Sequence, residues 1–283
     1  MSDPMKTLRW LLGAASLTAL MLYAASCSQV PNEAVEGKSN PTAAETKTYE
    51  QWAREARGAF LVQRRNIETV KISVDKYREA IAIKADEYDV LWEAARSCVW
   101  MGNFGPDKER KEYVVQGIKF ANAAVKVRPD GEEGLFYDAV LAGKLAELDL
   151  GYAPDGMKVL ESRLKQLIDM HSTVIYGAPD RVYGILLMRA PGAPLSVGDW
   201  DKAYVHLKKG YEVDPKYPEN PLYLSEIEFK LGKRDNKPEM KAAARRRLES
   251  FFFGPDSKPY IGSEFEWDDW KAQARKLLDD NPL

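Results

Sequence analysis

The 283 residues carry 41 Lys and Arg against 43 Asp and Glu, a formal net charge of −2, and 45% of them are hydrophobic. This balance excludes a low-complexity chain, a multi-span membrane protein and a protein that binds polyanions by bulk charge. Two Cys and two His exclude most multi-ligand zinc sites and any disulfide framework.

Lys6 and Arg9 precede an apolar run over residues 10–23, and Ala24, Ala25 and Ser26 lead into Cys27. A charged start, a short apolar stretch and small residues at a cut site predict a secretory signal over 1–26. The run falls short of the ~20 apolar residues a permanent span needs. Its end resembles a bacterial lipobox, with Ala24 where a large aliphatic residue is usual. That resemblance implies cleavage before Cys27, lipid on the Cys27 sulfur and anchoring to a membrane. Ser28 after the cysteine resembles a lipoprotein bound for an outer membrane and facing the periplasm. Residues 27–48 are polar, with Pro31, Gly37 and Pro41, and read as a flexible tether.

The folding domain is expected over 49–283. Apolar residues recur at helical spacing, as in Val74, Tyr77, Ile81 and in Trp200, Ala203, Tyr204, Leu207, Tyr211. Alternating strand patterns are nearly absent, so the fold class is all-α. Five segments can be laid on the tetratricopeptide frame of a small residue, a large apolar one four later and a small one three after that. They are Ser73-Tyr77-Ala80, Gly117-Ala121-Ala124, Leu160-Leu164-Leu167, Ala203-Leu207-Gly210 and the weaker Ala244-Leu248-Phe251. Their centres lie 44, 43, 43 and 41 residues apart, against ~34 for a tetratricopeptide unit. The pattern predicts a solenoid of antiparallel helix pairs with its extra residues between the two helices of a unit, as in the stretch 100–112. A last helix over 265–280, bearing Trp267 and Trp270, reads as a cap.

Catalytic vocabulary is sparse. Cys98 lies in an apolar stretch and reads as a core thiol. His206 has no acid or Ser at a telling spacing, and His171 reads as the end of a helix over 157–171. Glu264, Glu266, Asp268 and Asp269 read as the capping, solvated start of the last helix, and Arg245-Arg246-Arg247 as a solvated basic face. No metal-ligand set, cofactor motif or nucleophile motif stands out, so no cofactor is expected and no enzyme is read from the chain.

The stretch 176–231 carries Gly177-x-Pro179-x-Arg181, Gly184, Ala190-Pro191-Gly192, Gly198-Asp199, Ala203 and Pro218-Glu219-Asn220-x-Leu222-Tyr223-Leu224. It closely resembles the T-component (TatT) family of periplasmic TRAP transporter systems; the likeness extends over most of 49–253, with Ala178 where the family commonly has a second Gly. The resemblance implies a lipoprotein of divergent tetratricopeptide-like helix pairs. It further implies a homotrimer with central openings and association with a periplasmic solute-binding protein, the P component. It involves no nucleic acid.

Within the same stretch, Pro179-Asp180 suits the first turn of a helix, and Ser196 or Asp199 can cap the next. Arg181 has two readings: a structural pairing with Asp199 or Glu219, or a place on a ligand or partner surface with Tyr176, Tyr183 and Trp200. The leading expectation is a lipid-anchored protein that docks a solute-binding protein and assists transfer of a solute. The alternative is a tetratricopeptide-type scaffold of outer-membrane assembly or another envelope complex.

Overall fold

The computed structural model describes residues 47–63, 65–193, 196–260 and 262–282; the signal, Cys27 and nearly all of the tether lie outside them. Eleven helices occur among the described residues. They are α1 (Tyr49–Phe60), α2 (Ile67–Ile83), α3 (Tyr88–Phe104), α4 (Asp107–Val127), α5 (Glu132–Leu148) and α6 (Ala153–Asp169), then α7 (Val174–Arg189), α8 (Trp200–Val213), α9 (Glu219–Arg234), α10 (Pro238–Phe253) and α11 (Glu264–Asp280). The fold is all-α, built of adjacent helix pairs. No described helix is long and apolar enough to cross a membrane.

The chain divides into two compact units between Leu167 and Ile168. Five helix pairs and a final helix follow the repeat read from the sequence, and the repeat residues fall on the second helix of each pair. Tyr77, Ala121, Leu164 and Leu248 are fully buried and Leu207 nearly so. On α2, α4, α6 and α8 the buried residues include a stripe at i, i+4 and i+7, and on α10 one at i, i+4 and i+8. The first helices after α1 are buried more nearly all round, as α5 is from Gly134 to Ala146, whereas α1 buries one face through Ala53, Ala56 and Phe60. In the last pair Phe252, not Phe251, completes the stripe. It packs with Leu222, Phe229, Trp267, Trp270 and Leu278, so α11 closes the apolar face that α9 and α10 leave open.

The stretched period has a different origin from the loop expected over 100–112. Helix α3 runs on to Phe104 and α4 starts at Asp107, leaving Gly105 and Pro106 as the break. The extra residues lengthen the helices, because the apolar stripe does not stop. Trp100 and Met101 continue it and pack on Phe60 and Val70. Gly117 lets α4 close on its neighbours: a Cβ there would sit 2.7 Å from Cys98 Cβ and 2.8 Å from a Leu141 methyl. Helix α6 also begins earlier than the sequence suggests, since Pro154 is tolerated in a first turn. His171 lies beyond its end at φ 55, so it is not the last-turn cation of α6.

Ion pairs tie first helices to each other. In the first unit Arg57 of α1 grips Glu93 of α3 through Nε and Nη2, at 2.8 and 2.7 Å. In the second, Arg181 and Arg189 of α7 meet Glu219 and Glu226 of α9. Two contacts at nearly equal sequence offset make α7 and α9 parallel neighbours, the arrangement of first helices in successive repeats. Arg245 and Arg247 do not form a solvated face. Arg247 binds Ser225 and Glu228 of α9, and Arg245 reaches the Leu278 and Asn281 carbonyls at the end of α11. Only Arg246 of the three is exposed.

Candidate functional site

Of the residues that carry the resemblance, Gly177, Pro179, Arg181, Glu219 and Asn220 meet at the start of α7. Ile175, Tyr176 and Gly177 take the left-handed conformation, at φ 50, 60 and 77. For a β-branched isoleucine this is a genuine outlier, and each such residue costs on the order of 1–2 kcal/mol. Gly177 is glycine for two reasons: its φ, and the approach of α8, whose Gly210 carbonyl would lie 3.0 Å from any Cβ. Pro179 opens the regular part of α7, where its missing N–H is no loss. Gly184 continues the close approach to α8 over Leu207.

Arg181 holds the turn in place. It is 3% exposed. Its Nη1 donates to the Tyr176 carbonyl at 3.1 Å and to Asn220 Oδ1 at 2.9 Å, and its Nη2 reaches the Ile175 carbonyl at 3.5 Å. Its Nε lies 3.0 Å from Glu219 Oε2, and its guanidinium lies over the Tyr217 ring, 4.6 Å from the centroid. Asn220 Nδ2 donates to the carbonyls of Tyr176 and Asp214, at 3.0 and 2.8 Å. The left-handed turn therefore points its carbonyls inward at two buried donors. Burial pushes the Glu219 carboxyl above its ordinary value; Arg181 opposes this and the Glu266 charge adds to it. The structural pairing of Arg181 is thus with Glu219. Asp199 is elsewhere, capping α8 by accepting from the N–H groups of Asp201 and Lys202.

Above this base the turn presents an aromatic group. Tyr176 is 44% exposed and stacks on Tyr217, with centroids 4.8 Å apart. Tyr260, from the α10–α11 connection, meets both rings edge-on at 5.4 Å, and Trp270 of α11 closes on Tyr217 at 6.0 Å. Burial, followed by its contact with Tyr176, holds the Tyr260 hydroxyl well above the usual phenol range.

The four surface residues read from the sequence do not gather in one place. Tyr176 and Arg181 share the turn. Tyr183 lies two positions after Arg181, a rotation of about 200° on a helix, and packs edge-on against His206 of α8 at 4.9 Å. Trp200 begins α8, with Lys230 of α9 over its ring at 5.5 Å. Cys27 lies outside the described residues.

Sequence reasoning missed Tyr217, Tyr260 and Trp270 as companions of Tyr176, because two connections and the distant helix α11 bring them in. It also missed the acid partner of His206: Asp180 Oδ1 lies 2.7 Å from His206 Nδ1. Helices α7 and α8 are antiparallel neighbours, and matching Gly177 to Gly210 across them is the signal that would have paired these two. Cys98 is fully buried, and burial pushes its thiol up to about 12. Among the described residues, no group of three or more His, Cys, Asp or Glu could hold a metal ion. No protein-family model matches the chain, and no curated protein matches it.

Proposed function

We propose that the chain is a lipid-anchored, periplasm-facing helical-repeat protein of the T-component kind, anchored through Cys27, with an outer membrane as the expected location. It docks a periplasmic solute-binding protein and assists transfer of a solute with apolar character. One observation carries the reading. Five of the residues that resemble that family, Gly177, Pro179, Arg181, Glu219 and Asn220, build or brace one strained turn, and the turn presents an exposed tyrosine on an aromatic base. Strain persists where surrounding structure over-determines it, and such places are commonly functional. An aromatic surface with its buried charges already paired suits a partner met by shape and apolar area. The protein acts by binding; the buried Cys98 thiol and the Asp180-paired His206 are engaged within the fold. Homotrimer formation belongs to the same reading.

The test is co-purification from the source cell with the full chain as bait, scored for a periplasmic solute-binding protein, together with the solution mass of the chain with and without that partner. Tyr176→Ala should weaken capture at least tenfold and leave the helical circular dichroism intact. Recovery of barrel-assembly factors without a solute-binding protein would refute the reading in favour of an assembly scaffold. A strict monomer both with and without the partner would remove the trimer.

A further inference from the structure

A second charged and aromatic cluster lies in the first unit, across α1, α3 and α5. Phe60, at the end of α1, is faced by two guanidinium groups: Arg65 at 4.4 Å and Arg96 of α3 at 4.3 Å from its ring centroid. Arg96 also lies 5.2 Å from the Trp92 ring, one turn before it, and Trp92 stacks on Tyr137 of α5 at 6.0 Å with the planes 4° apart.

The hydrogen bonding of Arg96 sets it apart. Its Nε and Nη2 are buried, and among the described residues no group accepts from either. These two nitrogens share one edge of the guanidinium, the edge that binds a carboxylate by two parallel hydrogen bonds. Glu93, three positions earlier on α3, is already taken: both its oxygens are held by Arg57, and one of them also accepts from the Tyr77 hydroxyl. Glu133, the other carboxylate felt at Tyr137, accepts from the Tyr88 hydroxyl. Buried polar groups are nearly always partnered, so an unmatched cationic fork calls for an acceptor from outside the described residues. Arg96 and Trp92 are themselves half-buried, so the fork lies just beneath the surface. Arg65, which donates to the Phe60 carbonyl at 3.3 Å, adds a second positive charge beside the same ring.

We infer that Arg96 and Arg65, framed by Phe60, Trp92 and Tyr137, form a binding site for the carboxylate of a small organic acid with an apolar or aromatic body. The carboxylate takes the Nε–Nη2 edge of Arg96, and the aromatic residues take the body. The site lies in the first unit and stands independently of the partner reading, which concerns Tyr176 and Arg181 in the second.

Isothermal titration of the full chain with phenylacetate tests the site, with benzyl alcohol as a neutral analogue of similar shape. Saturable binding of one phenylacetate per chain is expected, at least tenfold tighter than benzyl alcohol. Arg96→Lys keeps the charge and removes the fork, and should weaken phenylacetate at least tenfold. Arg65→Lys should weaken it by a smaller factor. Unchanged hydrogen exchange in α3 and α5 establishes that each variant is folded. Absence of saturable binding would overturn the site and leave the fork to a buried water. Equal affinity for benzyl alcohol, or unchanged affinity in folded Arg96→Lys, would overturn the role of the fork. Partner capture that survives Arg96→Lys keeps the two proposals separate.

Discussion

Replacing Arg181 by methionine removes the support of the α7 turn while keeping most of the side chain's volume. Three acceptors lose a donor: the carbonyls of Tyr176 and Ile175, and Asn220 Oδ1. Asn220 still serves the Tyr176 carbonyl, so the turn is weakened more than abolished. The larger loss is at Glu219, whose buried carboxylate is left without its cation. Removing one partner of a buried ion pair costs about 3–5 kcal/mol, and this estimate contains the turn's share. The cost depends on pH with a definite sign. Burial holds the Glu219 carboxyl above 4.5, so folding takes up a proton there. Stability at this site is fully present below 4.5 and is lost as pH rises through the raised folded value. Without Arg181 that value moves further up. The deficit of Arg181→Met should therefore be widest at pH 8 and narrow as pH falls towards 5. Hydrogen exchange of peptides from α7 and α9, corrected for intrinsic rates, reads the local opening free energy. The double variant Arg181→Met, Glu219→Gln should recover about 2 kcal/mol at pH 8, since a neutral amide is cheaper to bury than a carboxylate. A deficit below about 1 kcal/mol, or one equal at pH 5.5 and pH 8, would refute this account of Arg181.

Other expectations follow from single contacts. Gly117→Val places new atoms against Cys98 and Leu141 and should cost about 1–3 kcal/mol by overpacking, seen as a lowered melting temperature. Leu164→Ala empties a fully buried position of the repeat stripe and should cost about 2–5 kcal/mol. Leu150→Ala, at a largely exposed side chain, should stay within about 0.5 kcal/mol. Similar melting temperatures for these two leucine variants would contradict the repeat packing. With Cys27 replaced by serine, the remaining thiol should not react with a disulfide reagent at pH 8 until the chain is unfolded, because burial pushes Cys98 up to about 12.

Legibility in the sequence followed periodicity. The second helix of each pair carries a one-sided stripe, and a stripe is visible as spacing; all five central residues lie in the core. First helices α3, α5, α7 and α9 are buried on most sides, so spacing gives them no single preferred face, and their partners could not be assigned. The surplus of each repeat was countable but not placeable. Trp100 and Met101 extend a helix, and counting cannot distinguish that from a loop. Arg181 shows a different limit. Burial among tyrosines was readable, and Glu219 was one of two acids at hand, but the backbone carbonyls that take most of its hydrogen bonds depend on a left-handed turn. No residue type announces Ile175 at φ 50; Gly177 alone carries a trace of it.

The convergence of recognisable residues on one turn bears on what a sequence signature records. Gly177, Pro179, Gly184, Gly198 and Asp199 permit a backbone path or cap a helix, and Arg181, Glu219 and Asn220 satisfy what that path leaves unpaired. Most of them are buried or turned inward. Tyr176 is the exposed member, and its surroundings at Tyr217 and Tyr260 are supplied by connections outside the short motifs. In this chain those residues build a platform, and the aromatic groups above it come from other parts of the fold. At Arg96 the relation is reversed: nothing in the local spacing marks the residue, yet its unmatched donors make it the more direct chemical signal. A folding constraint leaves a pattern in sequence because many residues must agree, whereas a binding group needs only one side chain at the right place in the assembled structure.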